Sequence, residues 1–147
     1  IIRPSALYGE RCISRRVGQI FIENALFGKK ISINGMGEEK LDFTYILDLI
    51  QGISKSIANE KAYNQIFNIT YGEGREILKL IEIIKNNFSN INVEFKERSK
   101  LVPVRGTLSN SKSKDLLGYK SEWPLEKGYQ QYINWYKDFF DKKINVS

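Results

Sequence analysis

The chain has 147 residues, a net charge of +6 and a hydrophobic fraction of 41%. It contains no histidine and one cysteine, Cys12, which excludes histidine-dependent nucleophiles and an internal disulfide. No apolar run approaches the ~18 residues of a membrane span. A lone cysteine is typical of a reducing compartment, so we expect a cytoplasmic protein. No carboxylate cluster resembles a metal-binding loop, and we predict no metal site.

The first half of the chain alternates between strand and helix patterns. Ile1–Arg3 is typical of the end of a buried strand, and the apolar spacing over Ile13–Leu26 predicts a helix. Lys30–Asn34 alternates as a strand, and a second helix is predicted after Thr44, which we expect to be its N-cap. The predicted apolar face of that second helix consists of Tyr45, Ile46, Leu49, Ile50, Ile53 and Ile57.

The second half continues this alternation, so the predicted fold class is α/β with strands of a parallel sheet. Pro124 opens the last helix at a favoured first-turn position. The apolar stripe predicted for that helix is Leu125, Tyr129, Tyr132, Ile133, Tyr136 and Phe140. The other predicted elements are a strand at Gln65–Thr70, a turn at Tyr71–Gly74, a helix at Glu76–Phe88, a strand at Asn92–Lys96, a loop at Lys100–Ser109 and a helix at Ser111–Leu117.

Two segments suggest chemistry but also have simpler interpretations. Tyr71–Arg75 carries two glycines between a strand and a helix, as a dinucleotide phosphate loop does, but it lacks the third glycine. The alternative is a turn that needs a positive φ. Asp42 and Asp48 are candidate paired carboxylates, and the alternative is that they cap nearby backbone.

The positive charge has two interpretations. It favours an anionic ligand such as a sugar nucleotide or a nucleic acid, or it reflects a solvated lysine-rich surface. The lysines are scattered, and the tight basic cluster of the chain consists of Arg11, Arg15 and Arg16.

Six segments in order are similar to motifs of one family. They resemble the C-terminal part of the extended short-chain dehydrogenases/reductases, the NAD(P)-dependent epimerases and dehydratases of nucleotide sugars. The similar segments are Arg3–Gly9 (RxxxVYGP), Phe21–Ile33 (FIxxALxGxxIxI), Leu41–Leu49 (RDFxYVxDL), Phe67–Gly72 (FNIGxG), Leu116–Pro124 (LGWxP) and Gly128–Tyr136 (GLxxxIxWY).

The resemblance implies a particular domain organisation. Residues 1–147 would form a single substrate-binding C-terminal domain of a Rossmann-type enzyme. Such a domain would have two parallel-sheet strands and a small helical and strand subdomain. We expect the dinucleotide-binding half to precede Ile1. We also expect a homo-oligomer contact, or another contact, to cover the apolar sheet surface that would otherwise be exposed.

The family's catalytic couple, Tyr-x-x-x-Lys, does not occur in this sequence. Tyr132 is followed four residues later by Tyr136, and Tyr8 by Cys12. The resemblance implies that the couple and the cofactor loop lie in the preceding half. We therefore assign no catalytic residue here and expect NAD or NADP to be bound mainly by that half.

The resemblance also implies a nucleotide-sugar pocket. Ser5, Ala6 and Leu7 would lie beside the nicotinamide and the sugar. Arg105 would grip the pyrophosphate, a task that suits a bidentate guanidinium, and the alternative for it is an exposed loop charge. The other substrate-binding candidates are Val17 and Phe21 on the first helix, Ser32, Ile33 and Asn34 beside the base, and Lys40 as a second phosphate contact.

Several positions depart from the family pattern, and they leave the substrate open. Ala6 stands where many members have asparagine, and Leu41 where many have a second phosphate-binding arginine. Asn34 replaces an apolar or aromatic residue, and Thr107 replaces an aspartate.

Two functions follow as hypotheses. The first is the nucleotide-sugar-binding portion of an NAD(P)-dependent sugar epimerase or dehydratase. This portion would close over the substrate beside the nicotinamide and would not be catalytically complete alone. The alternative is a non-catalytic binding module of the same fold that binds nucleic acid through its basic surface.

Overall fold

A computed structural model of the chain describes residues 1–98 and 105–144, with side chains described up to residue 141. The predicted loop at Lys100–Ser109 therefore lies partly outside the described residues. Strands and helices alternate, which confirms the α/β class. The elements are β1 (Ile2–Arg3), β2 (Leu7–Tyr8), α1 (Val17–Leu26), β3 (Ile31–Asn34), β4 (Lys40–Asp42), β5 (Thr44–Tyr45), α2 (Ile46–Ile57), a 3₁₀ turn (Glu60–Ala62), β6 (Phe67–Asn68), β7 (Gly74–Glu76), α3 (Ile77–Lys85), β8 (Val93–Lys96), α4 (Ser111–Leu117) and α5 (Leu125–Ile144).

The described strands form four separate pairs, three of them parallel. β1 pairs with β6, with Ile2 opposite Phe67. β2 pairs with β5, and β3 pairs with β8 along four residues. β4 and β7 are antiparallel. Every pairing joins segments distant in sequence, so short strands such as β2, β4, β5 and β7 leave no local pattern that would predict them.

The larger hydrophobic core lies between α1, α3 and α5. Its centre is the predicted stripe of α5, where Tyr129, Tyr132 and Ile133 are fully buried. The α5 prediction is thus confirmed from Leu125 to Tyr136, whereas Phe140 is half-buried. The other buried members of this core are Tyr8, Phe21, Ile22, Ala25, Ile31, Ile33, Leu41, Phe43, Tyr45, Ile77, Leu80, Ile81, Ile83 and Ile84.

A smaller core lies between β6, α2 and α4. It consists of Leu49, Phe67, Ile69, Leu117 and Tyr119. The predicted burial of the apolar face of α2 is only partly confirmed, because its outer isoleucines are solvent-exposed. The helix instead turns Asp48, Leu49 and Gly52 inward. The outer isoleucines are Ile50, Ile53 and Ile57, which are 49%, 38% and 78% exposed.

Two predicted helix starts are wrong. α1 begins at Val17 rather than Ile13, because Arg11 and Arg15 have φ values of 61° and 48° and Ile13 is exposed. α2 begins after Tyr45, with no side-chain cap. Thr44 lies in β5, where its Oγ1 accepts a hydrogen bond from the Tyr71 N–H at 3.2 Å. The Thr44 Oγ1 that was predicted to cap α2 therefore accepts a hydrogen bond from a residue distant in the chain instead.

Candidate functional site

A cavity of about 360 Å³ opens above the larger core. This volume lies in the range of small-molecule sites. Its wall comes from the segment after β1, the first turn of α1, strands β3 and β4 and helix α3. Eight of the sequence-predicted site residues line it: Ala6, Leu7, Val17, Phe21, Ser32, Ile33, Asn34 and Arg105.

Two of the predicted residues do not line this cavity. Lys40 lines a second cavity beside it. Ser5 is half-buried next to the wall-forming Ala6 and lines none of the described cavities discussed here.

The cavity has two ends, each defined by residues shared with a neighbouring cavity. At the first end, Ala6, Leu7, Tyr8 and Arg16 are shared with a cavity formed by the loop between β1 and α1. The second end shares three residues, Asn34, Glu39 and Arg105, with the Lys40 cavity. An elongated ligand lying in the cavity would therefore contact different side chains at its two ends.

Backbone geometry places Ala6 at the wall. Ala6 has a φ of 28°, outside the conformations that L residues prefer, and its carbonyl accepts a hydrogen bond from the Thr44 N–H at 3.4 Å. The pairing of β2 with β5 then carries the chain into Tyr8, which is buried. The hydrogen bond from Thr44 and the pairing with β5 hold this segment in place, which explains why Ala6 can keep its left-handed conformation.

The tyrosines beneath the cavity are structural. Tyr129 is fully buried, and its hydroxyl donates to the Gly18 carbonyl at 2.8 Å. The Tyr45 hydroxyl donates to Glu10 at 2.5 Å. Burial raises the pKa of Tyr8 and of Tyr45 well above the ordinary value, so both hydroxyls stay protonated near neutral pH.

The described charged residues that line the cavity are three arginines and one glutamate, Glu39. The Arg15 guanidinium lies 4.0 Å from the Glu23 carboxylate. The guanidinium groups of Arg16 and Arg105 make no hydrogen bond or ion pair with another residue that the structure describes. Each end of the cavity therefore carries one cation available to a ligand.

The candidate phosphate loop is a structural turn. Gly72 has a φ of 91°, which favours glycine. The N–H groups of Tyr71 and Gly72 donate to Thr44 Oγ1 and to Asp42 Oδ1, at 3.2 and 3.1 Å. Because these donors are already used, they cannot cradle a phosphate.

The two candidate paired carboxylates bind separate backbone segments. Asp42 accepts from Gly72, as above, whereas Asp48 accepts from the N–H groups of Glu122 and Trp123 at 2.9 and 3.2 Å. Burial raises the pKa of both carboxyl groups. Each therefore caps backbone at least 30 positions away in the chain rather than nearby backbone.

Several wall residues were not among the sequence-predicted set. Tyr129, Ile77 and Leu80 form the floor, Arg16 stands at the first end, and Arg15 also lines the cavity. The arginine cluster is visible in the sequence, but its position beside Ala6 depends on the loop between β1 and α1.

Within residues 1–98 and 105–144, no group of three or more metal-ligating side chains comes together. No helix there is both long enough and apolar enough to cross a membrane.

Comparison with known proteins defines the class. The sequence model of the NAD-dependent epimerase/dehydratase family matches residues 1–70. An uncharacterized protein of Methanocaldococcus jannaschii is 32% identical over 122 residues, which cover 79% of this chain and 36% of that protein. A putative UDP-glucose 4-epimerase of the same organism is 29% identical, covering 94% of this chain and 45% of the relative.

Solved structures agree with the sequence comparison. The UDP-glucuronic acid 4-epimerase from Bacillus cereus, in complex with UDP-glucuronic acid and NAD, superposes with a TM-score of 0.85 at 25% identity. The match covers 94% of this chain and 45% of that enzyme. Residues 1–70 therefore match the NAD-dependent epimerase/dehydratase family, and the chain shares the Rossmann-type fold of the enzymes to which it is similar. It spans between about a third and a half of the length of these relatives.

Proposed function

We propose that residues 1–147 form the nucleotide-sugar-binding domain of an NAD-dependent sugar epimerase or dehydratase. The observation that supports this most directly is the cavity, whose wall brings together eight residues that the family resemblance assigns to cofactor or substrate. These residues come from segments between Ala6 and Arg105, so their convergence is a property of the fold and not of local sequence.

The cavity suits a ligand with a nucleotide at one end and a sugar at the other. Ser32, Ile33 and Asn34 lie along β3, where they would contact the base. Arg105 stands at the same end and would bind the pyrophosphate with its guanidinium, which has no hydrogen-bond or ion-pair partner among the residues that the structure describes. Ala6 and Leu7, at the other end, would contact the sugar.

The described residues fit only part of a dinucleotide. In an open α/β sheet, ligands bind beyond the carboxyl ends of the parallel strands, which is where Ser5, Ala6 and Leu7 follow β1. These residues would contact the nicotinamide. The turn at Tyr71–Arg75 has no free N–H groups at Tyr71 or Gly72 for the cofactor phosphates. When bound, NAD would exchange hydride with the sugar. The chain's own residues would orient the sugar and exclude water.

The test is ligand binding by the full-length protein that contains this chain. We expect isothermal titration calorimetry in the presence of NAD to show binding of a UDP- or GDP-linked sugar. The Arg105→Ala variant should bind it about tenfold to a hundredfold more weakly, because a charge-assisted hydrogen bond is lost.

Lys114→Ala is a matched control, since Lys114 is an exposed cation on α4 outside the cavity. Its affinity should equal that of the wild type. The proposal fails if the full-length protein binds no nucleotide sugar, or if the two variants lose the same affinity.

The comparisons give no support to the alternative of a nucleic-acid-binding module. A filter-binding titration with single-stranded and duplex DNA over a salt series remains its test. Sub-micromolar affinity with a steep salt slope would favour it over the nucleotide-sugar site.

A further inference from the structure

We infer that Tyr129 is a positioning residue of the candidate site: its hydroxyl, on α5, holds the first turn of α1, and that turn forms part of the cavity wall. The inference rests on the proposed function, because it says how the same cavity keeps its shape for a nucleotide sugar. Tyr129 acts through the wall and was not among the sequence-predicted site residues.

A buried hydrogen bond joins Tyr129 to the start of α1. The Tyr129 hydroxyl donates to the Gly18 carbonyl at 2.8 Å, between residues 111 positions apart, and both residues are buried. Burial raises the pKa of Tyr129 well above its ordinary value, so the hydroxyl remains a donor near neutral pH. The bond therefore ties the first turn of α1 to α5.

The ring of Tyr129 packs against the same turn. A Cβ placed on Gly18 would lie 3.3 Å from the ring carbon Cε2 of Tyr129. This separation is shorter than an ordinary contact between carbon atoms, so the ring lies directly against the backbone of Gly18. Tyr129 thus limits how closely α1 can approach with its ring, and how far α1 can move away with its hydroxyl.

The turn that Tyr129 holds carries residues of the cavity wall. Val17, Gly18 and Phe21 all line the cavity, and Tyr129 lines its floor. Val17 and Phe21 are also two of the predicted substrate contacts. Because these wall residues lie within about one turn of one helix, a shift of the turn would move all of them together.

The neighbouring position of α5 supports a second part of the wall. Tyr8 of β2 lines the cavity, and a Cβ placed on Gly128 would collide with the Tyr8 hydroxyl. The Tyr8 and Tyr129 rings meet edge to face, with their centroids 6.1 Å apart. Gly128 and Tyr129 therefore contact two separate wall segments, β2 and α1, from one turn of α5.

Tyr136 provides a matched control. It lies about two turns farther along α5, it is also buried, and its hydroxyl donates to the Glu23 carboxylate of α1 at 2.9 Å. Neither Tyr136 nor Glu23 lines the cavity. Tyr129→Phe and Tyr136→Phe each delete one hydrogen bond between α5 and α1, but only Tyr129→Phe deletes it at the cavity wall.

The first measurement is amide hydrogen exchange of the full-length protein without ligand. We expect Tyr129→Phe to speed the exchange of the α1 amides from Ile20 to Ile22 about threefold to tenfold, because a buried hydrogen bond no longer holds that turn. Tyr136→Phe should leave the same amides within about twofold of the wild type.

The second measurement is ligand affinity at a temperature at which both variants are folded. Isothermal titration calorimetry with NAD present would use UDP-glucose and GDP-mannose as probes. For the probe that the wild type binds more tightly, Tyr129→Phe should weaken binding about threefold to tenfold. Tyr136→Phe should stay within about twofold of the wild type.

The outcomes separate this inference from the proposed function. If the wild type binds neither probe, the proposed function fails, and the exchange rates alone decide whether Tyr129 holds the wall. If both variants change exchange and affinity equally, Tyr129 is an ordinary packing contact and the inference is overturned.

Two further results would overturn the inference while the proposed function stands. Weaker binding by Tyr129→Phe with unchanged exchange of the first turn would make the hydroxyl a direct ligand contact. Faster exchange with unchanged affinity would show that the position of the turn has no consequence for the site.

Discussion

The two hydrophobic cores of this chain differ in how completely they are closed. The cavity region, built on α1, α3 and α5, surrounds its buried tyrosines and isoleucines on all sides. The sheet region, built on β1, β6, α2 and α4, buries only a five-residue cluster and leaves apolar side chains of α2 in solvent. The cavity region therefore has the larger buried core, although it too exposes apolar side chains such as Ile13 and Met36.

β1 and β6 form a two-stranded parallel pair, and parallel sheets are normally covered on both faces. Ile1, beside β1, is 77% exposed, and Ile57 of α2 is 78% exposed. We propose that further parts of the full-length protein, or a second copy of it, cover this surface.

Removing the centre of the cavity region should have the largest effect. Tyr129→Ala deletes a fully buried ring and should lower the free energy of unfolding by about 3–5 kcal/mol. Tyr129→Phe deletes only the hydrogen bond to Gly18 and should cost about 1 kcal/mol. Urea denaturation measures both. Equal losses for the two variants would mean that the ring contributes little to the packing.

The α2 face is exposed in this chain, so placing a charge on it should destabilise the protein only if other parts of the full-length protein cover that face. In the full-length protein, Ile57→Lys should lower the free energy of unfolding by roughly 1.5–3 kcal/mol, the value of burying an isoleucine. Met36→Lys, at an exposed apolar residue of the cavity region, should change it by less than about 0.5 kcal/mol. If both changes are equally mild by urea denaturation, the α2 face is not covered in the full-length protein.

Asp48 joins the two regions, because it lies on α2 and holds the backbone that leads into α5. Asp48→Ala leaves the N–H groups of Glu122 and Trp123 without their acceptor and should cost about 1–3 kcal/mol. Asp138→Ala, at an exposed position of α5, is the control and should have little effect. A thermal unfolding midpoint unchanged in both variants would show that this connection contributes nothing.

The smallest effect is expected at the partly exposed ion pair between Arg75 and Glu126. It links β7, which leads into α3, to α5, and solvent screens it. Arg75→Ala should therefore cost about 0.2–1 kcal/mol, and the loss should shrink in high salt. A larger loss that salt does not alter would indicate that Arg75 contributes through packing rather than through charge.

Much of the fold can be predicted from local pattern. The stripe from Leu125 to Tyr136 predicts α5 because helical spacing puts those residues on one face. Gly118 ends α4 with a φ of 62°, as its position after Leu117 predicts. The α2 pattern also identifies an apolar face. It cannot say what covers that face, so the burial predicted for Ile50, Ile53 and Ile57 does not occur within this chain.

The candidate site is predictable in its members but not in its arrangement. The family resemblance selects Val17, Ser32 and Arg105 from motifs that are separate in sequence. Only the structure shows that these residues line one cavity with two distinct ends.

Short-range spacing and ordered motifs in the sequence predict the α/β class, the approximate positions of the helices and the resemblance to the family. Which apolar surfaces are buried and which polar groups are hydrogen-bonded depends on the tertiary structure. Thr44 binds Tyr71 instead of capping α2, and Asp42 takes the N–H of Gly72 that a phosphate would need. These outcomes depend on contacts between residues about 30 positions apart in the chain. Local propensity cannot specify such contacts, because each is one of many that the same polar group could make.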